Sequence, residues 1–477
     1  MKKYFLLFTL LVAFLASCSS FDAERRPLDK NAAKIAVDNY SVGYNTIKQF
    51  AIQTKNSTAD ITPYVKDSDT LFYFINSDQG WKIISNDQRA TPVLASGYDG
   101  VFNPESTGKD EIRIWLEAAS DYIRAVRESP LDDDQQQNLL FWKANKKNDA
   151  RQADSLDNGS YKWKLVVTTD LYSIYNTDVI PHLISTKWGQ SSPWNNEIPI
   201  ISNYYYNGFC YTGQCPIGCV AVAISQILYY WHHTFGYPNS LYHNVDINGT
   251  QQFIAGVQSN LIIDTSNYVN SSRWNDMPLT SSGAHTDYVG DLMLYVGKRV
   301  YMHYTPIGSG SRVYYFDFEE NGMAYSQSSY NYATVSSCLD NGKPVIVEAW
   351  PNNSNEGHAW IIDGKLSRVY TYRTTSTWYE LDDGNIHGSV PEGTYYYTEE
   401  QALSIDPDLY DGKTSYSYTS TTNKYLRMNW GSDGEYDNAE YSASVFWHPV
   451  NNNGGNNSLP TFNTNAVIYY NFTTQNK

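Results

Sequence analysis

Basic charge is scarce in this chain: 34 Lys and Arg stand against 50 Asp and Glu, a formal net charge of −16. Phosphate-binding surfaces need Lys and Arg gathered on one face, and no such cluster occurs, which excludes a nucleic-acid partner. Cysteine is scarce too, with five in 477 residues, too few for a disulfide framework. Long apolar runs are missing beyond the N-terminus, so no later segment reads as transmembrane. Self-similarity at solenoid or propeller periods is also missing. The length allows two or three domains, each able to bury its own core without disulfides or metals. What is abundant is tyrosine, 42 residues among many Asn, Ser and Thr, a composition suited to strand-rich domains with polar turns.

The first residues, "MKKYFLLFTLLVAFLASCSS", place Lys2 and Lys3 before an apolar run from Tyr4 to Leu15. That run is too short to cross a bilayer as a helix, which needs roughly 20 residues, and reads as a signal peptide. Its end, Leu15-Ala16-Ser17-Cys18, resembles a bacterial lipobox. Cys18 is then the lipid attachment site, residues 1–18 are removed or modified on export, and the lipid is the only membrane attachment. The expected location is exported, as an outer-membrane or cell-surface lipoprotein. Beyond it, "NAAKIAVDNYSVGY" has helical apolar spacing, "TLFYFINSDQGWKIISNDQRATPVLASGYDGVF" reads as short strands, and "EIRIWLEAASDYIRAVRE" is helical again. This small α+β unit ends near Trp142. Residues 143–160, "KANKKNDARQADSLDNGS", hold no aromatic and form an exposed linker. The domains are therefore 1–18, 19–150 and 151–477. Residues 367–422, rich in Tyr, Thr, Ser and Asp, form a strand-forming insertion in the last of these. "AVIYYNF" is the last expected strand, after a flexible "NNNGGNN".

Chemistry concentrates around "GQCPIGCVAVAISQILYYWHH" (213–233). Val220, Ala223, Ile224, Ile227, Leu228 and Trp231 recur at one helical face, so a helix begins at or just after Cys219. Gly218 and Pro216 turn the chain into it. A helix mouth presents unbonded N–H groups and the positive dipole end, where an anion is favoured. Cys219 is thus placed as a nucleophile, whereas Cys215 lies in the preceding loop. A thiolate needs a histidine, and the histidine needs an orienting group. His358, in "NEGHAWIIDG", precedes a buried-strand pattern and lies 139 residues after Cys219, an interval found in papain-like enzymes. "YLRMNWGSDGEY" places Asn429 and Trp430 at another strand end, an amide to bond the imidazole and an indole to shield it.

These motifs, "GCVAVAISQILYYWHHTFGYP", "GHAWIIDG" and "MNWG", resemble those of the streptopain family, the C10 cysteine peptidases. "ISTKWGQSSPWN", "YTPIGSGSR" and the N-terminal strand region agree, the last resembling the family's inhibitory propeptide. The resemblance implies an α+β, papain-like peptidase domain: a helix carrying the cysteine, packed on an antiparallel sheet carrying the histidine, behind a small α+β propeptide. It implies an exported cysteine endopeptidase made as a zymogen, acting on proteins or peptides, with its own propeptide as inhibitor. It calls for no cofactor and no metal. Cys219 matches the nucleophile and His358 the general base and acid. Asn429 and Trp430 match the pair that holds and covers the histidine, and which of them orients it is open. The oxyanion donor is Gln214, five residues ahead of Cys219, or its rival Gln190 in "KWGQ". "NNNGGNN" resembles a glycine-rich loop beside the family's cleft. The 71 residues from His358 to Asn429 exceed the family's spacing and leave specificity open.

Blander readings compete with these. Cys219 as a buried structural cysteine is the usual fate of a lone Cys by an apolar helix. The gaps between Cys210, Cys215 and Cys219 fit no common zinc or iron–sulfur pattern. A Cys210–Cys215 bridge stays open, Cys338 reads as core, and His232 and His233 read as helix-end groups. Ser309 and Ser311 fail the Gly-x-Ser-x-Gly register of a nucleophile elbow. Two rival functions remain: a catalytically degenerate surface-binding lipoprotein, and a cysteine-dependent acyltransferase or amidase on the same scaffold.

Overall fold

Two-residue alternation in "TLFYFINS" sorts its side chains between two cores, Phe72 and Phe74 to one side, Tyr73 and Ile75 to the other. A sheet built this way needs helices on both faces, and it has them. The computed structural model describes residues 40–53, 59–104, 110–145, 150–152, 161–198, 200–236, 252–254, 257–259, 271–350, 357–381, 389–391, 393–445 and 466–474. The chain divides into two units, Met1–Tyr40 and Ser41–Lys477. Of the first only Tyr40 is described; the signal-peptide and lipobox expectations, most of the first expected helix, and "NNNGGNN" fall outside the described residues.

Within the second unit, α1 (Tyr44–Gln53) precedes a meander of β1 (Asp60–Lys66), β2 (Asp69–Ser77), β3 (Gly80–Ser85) and β4 (Val93–Gly97), followed by α2 (Asp110–Glu128) and α3 (Asp133–Asn145). Ile112, Trp115, Leu116, Ala119, Ile123 and Val126 keep helical spacing and bury one face of α2 against Phe72 and Phe74. Phe50 of α1 with Phe141 and Trp142 of α3 close the opposite face. Next come β5 (Ala150–Gln152), the long β6 (Trp163–Ile180), the hairpin β7 (Ile200–Tyr206) and β8 (Phe209–Gln214), and α4 (Cys219–Phe235). β9 (Gln252–Ile254), β10 (Val257–Ser259), α5 (Ser271–Asp276), α6 (Thr286–Arg299), β11 (Met323–Ser329), α7 (Tyr332–Asp340), β12 (Val345–Ala349) and β13 (His358–Glu380) lead to β14 (Ser389–Pro391), β15 (Thr394–Tyr397), α8 (Glu399–Ile405), β16 (Thr414–Asn429), β17 (Ala439–Ser442) and β18 (Val467–Thr474). No described helix is long and apolar enough to cross a membrane.

One antiparallel sheet runs β1-β2-β3-β4-β17-β16-β13-β12-β18-β11, with β6 paired off β13 and β15 paired to β6. Its two faces bury different partners. Ile346, Ala359, Ile361 and Tyr469 pack with α4 and α6, while Val347, Trp360, Ile362 and Ile468 pack with α2. Ile224 and Ile227, wholly buried on α4, each contribute roughly 1.5–3 kcal/mol relative to exposure. The N-terminal meander joins the C-terminal sheet edge to edge, through Ala95 opposite Tyr441, Ser96 opposite Glu440 and Gly97 opposite Ala439. Gly97 must be glycine there, because a Cβ would lie 2.3 Å from Trp81 Nε1. Strands from both sides of residue 150 therefore share one sheet. The 367–422 segment is strand-rich as expected: the outer halves of β13 and β16, with β6, extend as a three-stranded arm. Tyr370 and Tyr372 on that arm pack under Phe141, whose ring meets Tyr370 edge-on at 5.6 Å.

Candidate active site

Three hydrogen bonds fix the turn that opens α4. Asn195 Nδ2 donates to Cys215 O (3.0 Å), Ser309 Oγ to Pro216 O (2.6 Å), and Ile217 N–H to Gln190 O (2.9 Å). The chain then passes Gly218 at φ +95°, where a Cβ would lie 2.7 Å from Met302 Sδ. Only glycine suits both demands. Gly218 caps α4 without a side chain, and Cys219 is the first helical residue, half-buried. The first-turn N–H groups are therefore met by no capping side chain, the situation that favours an anion at a helix mouth.

Opposite stands the start of β13. Ala359 N–H donates to Cys219 Sγ at 3.4 Å, which sets the sulfur against the backbone next to His358. The imidazole of His358 is 3 % exposed and its Nε2 lies 3.2 Å from Trp430 O. A carbonyl only accepts, so Nε2 carries the proton and Nδ1 is the basic nitrogen. Trp360 lies nearly parallel to the ring at 6.1 Å, and Trp430 packs against Trp360 at 5.3 Å. The Trp360 indole thus backs the histidine, with the Trp430 indole against it, while the Trp430 backbone holds the imidazole. Asn429 does not bond the imidazole through its amide in this arrangement. Its Oδ1 accepts from Gln226 Nε2 (3.0 Å) and Gly431 N–H (3.2 Å), and its Nδ2 donates to Thr186 O (2.8 Å). Trp430 N–H is taken by Asp437 Oδ1 at 2.9 Å, a carboxyl that burial, with Asp363 nearby, pushes up to about 8.

Gln214 calls for a correction. Its Nε2 donates to the carbonyls of Asn195 (2.6 Å), Asn196 (3.1 Å) and Ile198 (2.8 Å), so both N–H groups secure that turn and none is left for an oxyanion. Gln190 lies beside the Cys219 turn through its carbonyl bond to Ile217. Cys210, Cys215, Cys219 and Cys338 are free thiols, so the Cys210–Cys215 pair is unbridged. Burial pushes Cys215 up to about 11 and raises Cys338. His232 stacks on Trp274 and His233 Nε2 meets Trp274 O at 3.1 Å, both at the far end of α4. Gln226, Ser309 and Asp437 were not singled out as site groups by sequence. Gln226 left one trace, a polar residue inside the apolar run "AVAISQILYY".

A buried carboxylate lies across the sheet from Ala359. Glu348, 2 % exposed, accepts from Val313 N–H (3.3 Å) and the Tyr469 hydroxyl (3.1 Å). Burial outweighs those bonds and nearby Arg312, pushing its carboxyl up to about 7. An acid whose folded pKa is raised lends stability below its ordinary value and loses it as pH climbs through the raised one. Urea unfolding at about pH 5 and about pH 8 should show this group withdrawing roughly 2–3 kcal/mol, and Glu348→Gln should remove that share of the decline. Equal declines in both proteins would refute the assignment.

A family model described as Peptidase C10 family matches residues 188–439, more than half the chain. The chain belongs to the C10 peptidase family. It is a cysteine peptidase. Residues 25–123 match a second family, the Spi protease inhibitor, so an inhibitor segment precedes the peptidase and the pair forms a cysteine protease zymogen. A mutant prointerpain A fragment from Prevotella intermedia is 19% identical over 86% of this chain and 98% of its own, with a TM-score of 0.48. Active wild-type interpain A cysteine protease from the same organism is 19% identical over 53% of this chain and 95% of its own, with a TM-score of 0.29. A comparison with curated proteins finds no match.

Proposed function

We propose that this C10 peptidase is an exported endopeptidase in which Cys219 is the nucleophile and His358 its general base and acid. The observation that carries the reading is the meeting of the α4 mouth with the start of β13, Sγ held 3.4 Å from the N–H beside the histidine. His358 Nδ1 takes the thiol proton, and Sγ attacks the scissile carbonyl carbon. The oxyanion is met by the Cys219 N–H and the Gln190 side chain. Nδ1 then returns the proton to the departing amine, leaving an acyl-enzyme that water, deprotonated by the same nitrogen, hydrolyses. The Trp430 carbonyl holds the ring through Nε2 during both transfers.

The N-terminal residues support export by a signal peptide and lipid attachment at Cys18, with release on maturation. Maturation falls in the linker, residues 143–160. A cut beyond Trp163 would break into β6, which pairs with β13 from Lys365 to Glu380. The propeptide then ends at about residue 150 and the peptidase extends to 477.

The test is alkylation of the processed protein. An epoxide or iodoacetamide reagent at neutral pH should modify Cys219 rapidly, while Cys215 and Cys338, buried with raised thiols, stay unlabelled. A Cys219 no more reactive than exposed Cys210 would favour a binding protein on a degenerate scaffold.

A further inference from the structure

We infer that Gln226 is a positioning residue for catalysis, tying the helix that carries Cys219 to the peptide group that holds His358; this rests on the roles proposed above for those two residues. Cys219 and Gln226 lie seven residues apart, two turns along one face of α4. Gln226 is 1 % exposed, in a helix whose other buried neighbours are almost all apolar. A buried amide without partners is costly, and this one is bonded at both ends.

The bonds leave one arrangement of the amides. Thr186 O accepts, so it faces Asn429 Nδ2; Gly431 N–H donates, so it faces Asn429 Oδ1. Gln226 must then present Nε2 to Asn429 Oδ1, and its Oε1 takes the Thr186 hydroxyl at 2.6 Å. The Gly431 N–H and the Trp430 carbonyl belong to one planar peptide group and point opposite ways. Fixing the N–H on Asn429 therefore aims the carbonyl, and the carbonyl holds His358 Nε2. Gly431 sits at φ +72°, and a Cβ there would touch Val222 Cγ1 at 3.0 Å, so the same peptide presses on the first turn of α4. Nucleophile helix, amide pair, peptide plane and imidazole form one connected path. Asn429 acts on the histidine through that plane.

Gln226→Leu keeps the size and removes both bonds; Gln226→Glu keeps the acceptor for Thr186 and sets an oxygen against Asn429 Oδ1. On the full chain after processing, both should lower kcat about 10- to 100-fold with KM changed less than about threefold. The pH profile of Cys219 alkylation should shift as well. A merely structural glutamine would lower the urea midpoint and leave the pH profile of the folded enzyme in place. Wild-type kcat and pH profile in both variants, beside an inactive Cys219→Ala control, overturn this inference alone. Turnover by the Cys219→Ala control overturns it together with the proposed nucleophile.

Discussion

Alanine in place of Cys219 is expected to cut peptide hydrolysis by at least about 10⁴-fold and to leave the chain unprocessed. Among the described residues the sulfur is the group at this helix mouth placed to form an acyl-enzyme, and an alanine methyl offers no lone pair. What remains, the first-turn N–H groups and the donor proposed at Gln190, would still polarise a carbonyl, so binding should survive while turnover does not. Turnover of a fluorogenic peptide and the intact mass of the purified chain read both effects. Self-processing makes the second a sharp criterion: Cys219→Ala should keep the propeptide, residues 19–150, attached, and added wild-type enzyme should trim it. Trimming of the variant on its own, or turnover above about 1% of wild type, would remove Cys219 from the mechanism.

The helix bearing that cysteine was readable because its information is local. Six apolar residues from Val220 to Trp231 keep one helical face, and α4 begins at Cys219 as the period required. The strand after His358 was readable for the same reason, since "AWII" is a buried run, and so were β2, β3 and α2 ahead of the peptidase. Side-chain direction was not. "MNWG" placed an amide next to an indole at a strand end, yet only the fold decides that the Trp430 carbonyl meets the imidazole while the Asn429 amide turns to Gln226. Gln214 misled for a related reason: nearness to Cys219 in sequence says nothing about the three carbonyls of the 195–198 turn. The β4–β17 junction was out of reach as well. Its strands are four and five residues long and wholly buried, so they carry no alternation, and their pairing spans more than 300 positions.

That junction carries the largest stability effect expected here, on Glu440. Its carboxylate is 1 % exposed in the middle of β17, with Arg368 Nη2 on Oε2 and Arg427 Nη2 on Oε1 at 3.4 Å. The propeptide's Tyr98 hydroxyl donates to the same Oε1. Removing one partner of a buried ion pair costs far more than the pair contributes, because the remaining charge keeps its desolvation without its counter-ion. Two mostly buried guanidiniums would be stranded by Glu440→Ala, Arg368 and Arg427 at 15 % and 20 % exposure. The expected loss is about 3–5 kcal/mol in urea unfolding of the full chain. Tyr98→Phe removes only a neutral donor that can otherwise turn to solvent, and should cost about 1 kcal/mol or less. The two should not add, since the tyrosine's bond vanishes with the carboxylate. After the propeptide is cut away the Tyr98 effect must disappear, while the Glu440 effect must persist, because both arginines belong to the peptidase. A Glu440→Ala midpoint within experimental error of wild type would show that Arg368 and Arg427 reach water without that carboxylate.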